Sequence, residues 1–247
     1  MASIVRVAER DAQHELAQLD GDTALEKVTL GPPTGSALLE QRVTRYGPGR
    51  SLPRSEADRD ELLFVVRGSG TLELEEEPYE LEPDLGAYVR AGESYVIDNP
   101  GPDELLLVSV TVPVEQVYRP PREVTVRFAD RPELRADAKR TFRYLVNQDA
   151  GCMDATQFVG IVEPCRAPDH SHTYDELGYI LEGEGFAHVE GEAIPLRPGS
   201  CFHLPPEQVH CIENTGPGVM RILGVFAPAG DPASRAYADN SSLISTS

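Results

Sequence analysis

Basic residues are scarce in this chain: 22 Lys and Arg stand against 41 Asp and Glu in 247 residues, a formal charge of −19. Long-range repulsion then opposes nucleic acids and anionic membrane surfaces, so the expected partner is a small molecule. Long apolar runs are also missing. No stretch approaches the roughly 20 residues of a bilayer-spanning helix, and no membrane segment is expected. The first ten residues, Met1 to Arg10, lack a basic segment leading into an apolar core and a cleavage site. No secretory leader is therefore expected, and the expected compartment is cytoplasmic. Cysteine is absent from the first half, and Cys152, Cys165, Cys201 and Cys211 show no CxxC spacing, which excludes a zinc knot. Cys201 and Cys211 flank the turn at Pro205-Pro206 and could face each other, but in a reducing compartment free buried thiols are the expectation.

What is present is a repeat. Glu61-Leu62 matches Glu176-Leu177, Gly68-Ser-Gly70 matches Gly183-Glu-Gly185, Leu81-Glu-Pro83 matches Leu196-Arg-Pro198, and Asn99-Pro-Gly-Pro102 matches Asn214-Thr-Gly-Pro217, all 115 positions apart. One shift without gaps across about 50 residues sets the architecture before any local reading. Each copy consists of short apolar or alternating runs, such as Leu62 to Arg67, Leu105 to Val112 and Val219 to Phe226, divided by Gly and Pro. That texture predicts an all-β sandwich or closed barrel. The acidic run Glu73 to Asp84, in which charge alternates with Leu, reads as a strand with a solvated face. Helix is expected only over Glu9 to Leu19 and over Pro132 to Lys139, and the tail from Asp231 is expected to be a docked arm or disordered.

Five of the six histidines follow residue 169, and three share one pattern: His170-Ser-His172-Thr-Tyr-Asp-Glu176, then His210. Residues two apart on a strand share a face, so His170 and His172 can present imidazoles to one point. Glu176 is too far along a straight strand. The chain must turn at Thr173 to Asp175 to set Glu176 on a neighbouring strand roughly 5 Å away, and His210 closes the set from a third. Three imidazoles and a carboxylate suit one divalent ion, Fe, Mn, Co, Ni or Zn, and leave positions open if the ion is octahedral.

Residues 163 to 217 resemble the two sequence motifs of the cupin family, and residues 46 to 102 resemble a degenerate copy. The resemblance implies two jelly-roll barrels in tandem, with His170, His172, Glu176 and His210 holding one metal inside the second. It implies an N-terminal segment over 1–24, a first barrel over 25–118, a connection over 119–140, a second barrel over 141–230 and a tail over 231–247. At the 115-residue shift His170 becomes Ser55, His172 becomes Ala57 and His210 becomes Tyr95, with only Glu61 retained, so the first barrel is expected to be metal-free. The two barrels are expected to pack as an intramolecular pair, monomeric or as a homo-oligomer.

Phe202, Leu204 and Tyr179 are candidate pocket residues, while His203 takes the opposite side of its strand. His188 reads as a surface or interface histidine, and His14 carries no signal. Relatives of this kind include oxalate decarboxylases, dioxygenases, isomerases and aminohydrolases, which share capture of an oxyanion by the metal. Oxalate decarboxylases place an arginine three residues before the first metal histidine, where this chain has Ala167, with Arg166 at the opposite parity. The expectation is a metal-dependent enzyme acting on a small, anionic oxygenated acid. The alternative is a non-catalytic small-molecule binder in which the metal is structural.

Overall fold

The structure, a computed structural model, describes residues 17–18, 20–115 and 117–237. Among these residues the regular structure is antiparallel strand with three short 3-10 turns and no α-helix. No helix is long and apolar enough to cross a membrane.

Each half forms a jelly-roll barrel from two sheets. In the first half seven strands run in the order Ala17–Gln18, Ala24–Leu30, Glu40–Tyr46, Leu105–Pro113, Arg59–Arg67, Leu85–Val89 and Thr125–Arg127. Gly49–Arg50, Tyr95–Asn99, Gly70–Leu74 and Glu77–Leu81 make the sheet opposite. In the second half the order is Leu134–Arg135, Arg140–Tyr144, Thr156–Val162, Met220–Ala227, Asp175–Glu182 and Cys201–Leu204. Its other sheet runs Glu192–Leu196, Gly185–Val189, His210–Asn214, His170–Ser171 and Ala236–Tyr237, with Cys165–Arg166 also paired to His210–Asn214.

Three of the four apolar clusters fill the barrels and the seam between them. Leu63, Val65, Leu72, Ile97 and Leu107 fill the first barrel, and Ile180, Ala187, Leu196, Phe202 and Ile212 fill the second. The largest cluster belongs to both halves, joining Leu62, Phe64, Val108 and Val110 to Val159, Leu177, Tyr179, Leu223 and Val225. Strand Arg59–Arg67 sends Leu63 and Val65 into its own barrel and Leu62 and Phe64 into this seam, so it reads as a continuous apolar run. Each such side chain contributes about 1.5–3 kcal/mol by leaving water. Polar ties cross the seam as well: Ser36 Oγ donates to Asp175 Oδ2 at 2.9 Å, and Arg221 Nη2 to Asp84 Oδ1 at 2.8 Å.

Several expectations change. Pro132 to Lys139 is not a helix: Leu134–Arg135 pairs with Thr141 and Phe142, and those hairpin bonds override a weak local helical pattern. The helix expected over Glu9 to Leu19 lies outside the described residues, as does His14, except that Ala17–Gln18 pairs as strand with Leu25 and Glu26. The run Glu73 to Asp84 is a hairpin, not one strand. Its turn residues Glu75 and Glu76 have φ of 48° and 70°, the left-handed pair that a two-residue connection with the right twist requires. The segment joining the barrels adds Thr125–Arg127 to the first and Leu134–Arg135 to the second.

The repeat also contains a one-residue slip. Glu61 pairs with Val89 as Glu176 pairs with Leu204, which keeps the shift of 115. Upstream, His170 faces His210 where Arg54 faces Tyr95, and the N–H of Glu207 bonds to His172 O where that of Gly92 bonds to Glu56 O. Arg54 and Glu56, not Ser55 and Ala57, therefore stand where the second barrel has its first two histidines.

Candidate metal centre

Two strands bring the histidines together. His170 sits on a two-residue strand opposite His210, and His172 follows as that strand ends. Ligand atoms of His170, His172 and His210 lie within 4.8 Å of one another, and all three residues are buried. Their ring centroids are 4.5 to 5.4 Å apart. Glu176 approaches from the adjacent sheet, its Oε2 lying 3.8 Å from His172 Nε2.

Each imidazole is held by its other nitrogen. Nδ1 of His170 is 2.8 Å from Pro168 O, Nδ1 of His172 is 3.0 Å from Ser234 O, and Nδ1 of His210 is 2.9 Å from Gln208 O. A carbonyl oxygen only accepts, so each Nδ1 carries the proton and each Nε2 offers a lone pair. Tyr174 stacks on His172 at 4.9 Å, and its hydroxyl donates to Asp231 O at 2.7 Å. Glu176 Oε2 is buried without a hydrogen-bond partner among the described residues.

Burial governs the protonation of all four groups. It draws His170 down to about 3, with His210 beside it adding to the effect, and His172 and His210 down to about 4. It pushes Glu176 up to about 8. At neutral pH the imidazoles are thus neutral donors, and Glu176 is a carboxyl whose ionised form is favoured by a cation beside it. Three fixed nitrogen lone pairs and an orphaned carboxylate oxygen fit a borderline divalent ion.

The remaining pocket residues separate by strand parity. Gly178 is registered with Phe202 and Glu176 with Leu204, so all four lie on the inward face. Phe202 lines the cavity beside the histidines, together with Phe158 and Phe226, whereas Leu204 packs in the barrel core next to it. Tyr179 is not brought to the site: three residues from Glu176, it points the other way into the seam between barrels. Asp175 points that way too, and its Oδ1 lies 2.5 Å from His203 Nε2. Cys201 also lies in the seam, away from Cys211, and all four cysteines are free. His188 pairs with Glu213 at 2.7 Å near the surface. Gly178 carries no side chain for a steric reason, since a Cβ there would fall 2.0 Å from the Phe202 ring.

Sequence reasoning missed Ser234, Arg235 and Arg140. The last two line the cavity, and the arm carrying Ser234 and Arg235 is fixed where Ala236–Tyr237 pairs with His170–Ser171. Only the composition of the tail pointed towards an arm.

Comparison with known proteins supplies the wider frame. The cupin domain family matches residues 42–111 and again 159–226. An uncharacterized protein of Methanocaldococcus jannaschii is 38% identical over 55 residues, which is 22% of this chain and 44% of that protein, so less than half of its length is spanned. A Pseudomonas aeruginosa protein described as glyoxylate-induced superposes with a TM-score of 0.76 at 19% identity, over 87% of this chain and 85% of its own. Oxalate decarboxylase of Bacillus subtilis gives 0.68 at 14% identity, over 87% of this chain and 74% of that one. At such identities the likeness concerns the fold.

Proposed function

Because this chain belongs to the cupin family, with two such domains in tandem, we propose that it is a divalent-metal-dependent enzyme acting on a small oxygenated organic acid. His170, His172, His210 and Glu176 would hold one ion in the second barrel. The observation that carries this is the set of three Nδ1 contacts to backbone carbonyls, which leaves every Nε2 free. A bound ion would supply Lewis-acid polarisation of a coordinated oxygen. With three neutral imidazoles and one carboxylate around a dication, the centre carries a formal charge of +1, which favours an anion at short range. Phe158, Phe202 and Phe226 give part of the cavity apolar walls, which strengthens electrostatic contacts inside it. The names of two structural neighbours, one glyoxylate-induced and one an oxalate decarboxylase, support a small acid as substrate.

Elemental analysis of protein supplied with manganese, iron, cobalt, nickel or zinc tests the reading. About one ion per chain is expected, and His172→Ala should lose the ion and carboxylate binding while the barrels stay folded. Unchanged carboxylate binding in that variant, measured by calorimetry, overturns the metal as functional centre and favours a binder.

A further inference from the structure

The cavity beside the histidines has a second, cationic wall. Arg140, on strand Arg140–Tyr144, and Arg235, on the C-terminal arm, both line it. Their side chains are only 11% and 3% exposed, so two guanidiniums have been taken out of water. One carboxylate answers both: Asp137 Oδ2 accepts from Arg140 Nε at 2.6 Å and lies 3.5 Å from Arg235 Nη1. Two cations against one anion leave this wall positive. Arg235 Nε is buried with no hydrogen-bond partner among the described residues. A buried guanidinium N–H left open is costly, and the planar fork of arginine matches the two oxygens of a carboxylate.

Size limits what could fill the place. The cavity measures about 90 Å³, and at about 10–15 Å³ for each water-sized centre it holds on the order of six to nine. Apart from the charged groups its walls are largely apolar, with Phe142, Val162 and Ile222 among them. A ligand there would be lined by both the histidine cluster and the two guanidiniums.

We propose that Arg140 and Arg235 are the oxyanion-recognising side of this pocket, and that the substrate is a small acid with two oxyanion groups, one turned to the histidines and one to the arginines. The inference rests on the metal-site reading above and adds to it the class of substrate. Arg235 reaches the site only because the arm pairs through Ala236–Tyr237 with the strand that bears His170.

The test loads the full chain with manganese, measures its metal content, and titrates malonate and acetate by calorimetry into wild type, Arg235→Gln and Arg140→Gln. Each variant should keep about one manganese per chain and bind malonate about 10- to 100-fold more weakly, the loss expected of one charge-assisted contact. Acetate, with a single carboxylate, should change far less. Unchanged malonate affinity overturns the proposal, as does equal weakening of malonate and acetate, or loss of manganese from both variants, which would assign the arginines to holding the arm. If wild type takes up no metal, the reading of the histidines fails separately, and an arginine-dependent preference for malonate in that protein would still support the recognition wall.

Discussion

Tyr95 donates its hydroxyl to Glu61 Oε2 at 3.0 Å in the first barrel, and these two residues stand where the second barrel has His210 and Glu176. The other two corresponding positions are Arg54 and Glu56, paired with Asp22 at 2.9 Å and with Arg42 at 2.7 Å. Internal ion pairs and a phenol thus occupy one barrel where the other gathers imidazoles, and Tyr95 is buried in the core of its own barrel.

Replacing Tyr95 by Phe should leave the metal content at about one ion per chain. It should lower the unfolding free energy by about 1–3 kcal/mol, because the buried Glu61 loses a donor. Elemental analysis and urea unfolding check the two halves of this statement. Loss of the ion would place metal binding in the wrong barrel.

Asp22 gives a pH dependence. Burial raises its pKa, but the Leu52 N–H, the Arg54 guanidinium and the Ala24 N–H together outweigh burial and hold it below the ordinary value. A depressed carboxyl adds stability that is present above its unfolded pKa near 3.8 and lost as pH falls through the lower folded value. Asp22→Asn should therefore cost about 1–3 kcal/mol at pH 7. The gap from wild type should narrow as pH falls below 3.8 and through the lower folded value, and unfolding curves at pH 7 and in acid would show whether it does.

Gly178→Ala should destabilise by about 1–3 kcal/mol, the usual cost of overpacking, since its new methyl group meets the Phe202 ring. Combined with Phe202→Leu, the loss should be smaller than the sum of the two single losses. Strict additivity in denaturant melts would mean that the ring is not the obstacle.

Cleavage next to Tyr118, which is 68% exposed, should leave the halves associated, because the shared seam does not depend on that peptide bond. Chymotrypsin followed by size exclusion reads this directly. Two separate, stable species would contradict the packing described.

Ending the chain after Gly230 removes Ser234, the acceptor that orients His172. Metal affinity should fall about 10- to 100-fold, as for loss of other such orienting partners, while far-UV circular dichroism stays barrel-like. Unaltered affinity would show that Tyr174 alone orients the ring.

The tandem architecture was legible in the sequence because Gly and Pro recur at the same places in both copies, and turns fix those residues independently of the rest. The histidine set was legible because strand periodicity ties His170 to His172. The slip before Glu61 was not, since no residue between Arg54 and Glu61 marks where an extra one enters. Tyr179 was misplaced although the same periodicity, counted from Glu176, sends it to the seam. Arg140 and Arg235 carried no spacing signal because they come from a distant edge strand and a terminal arm, joined only by tertiary contact through Asp137.

Ala236–Tyr237 follows every other described strand in chain order, yet it lies against His170. The piece that orients His172 and delivers Arg235 thus comes from beyond both barrels. The barrel by itself supplies the carbonyl partners of His170 and His210, whereas the carbonyl that meets His172 Nδ1 belongs to the arm. The arm therefore acts as a closing clasp, completing the surroundings of the three rings from outside the barrel that holds them.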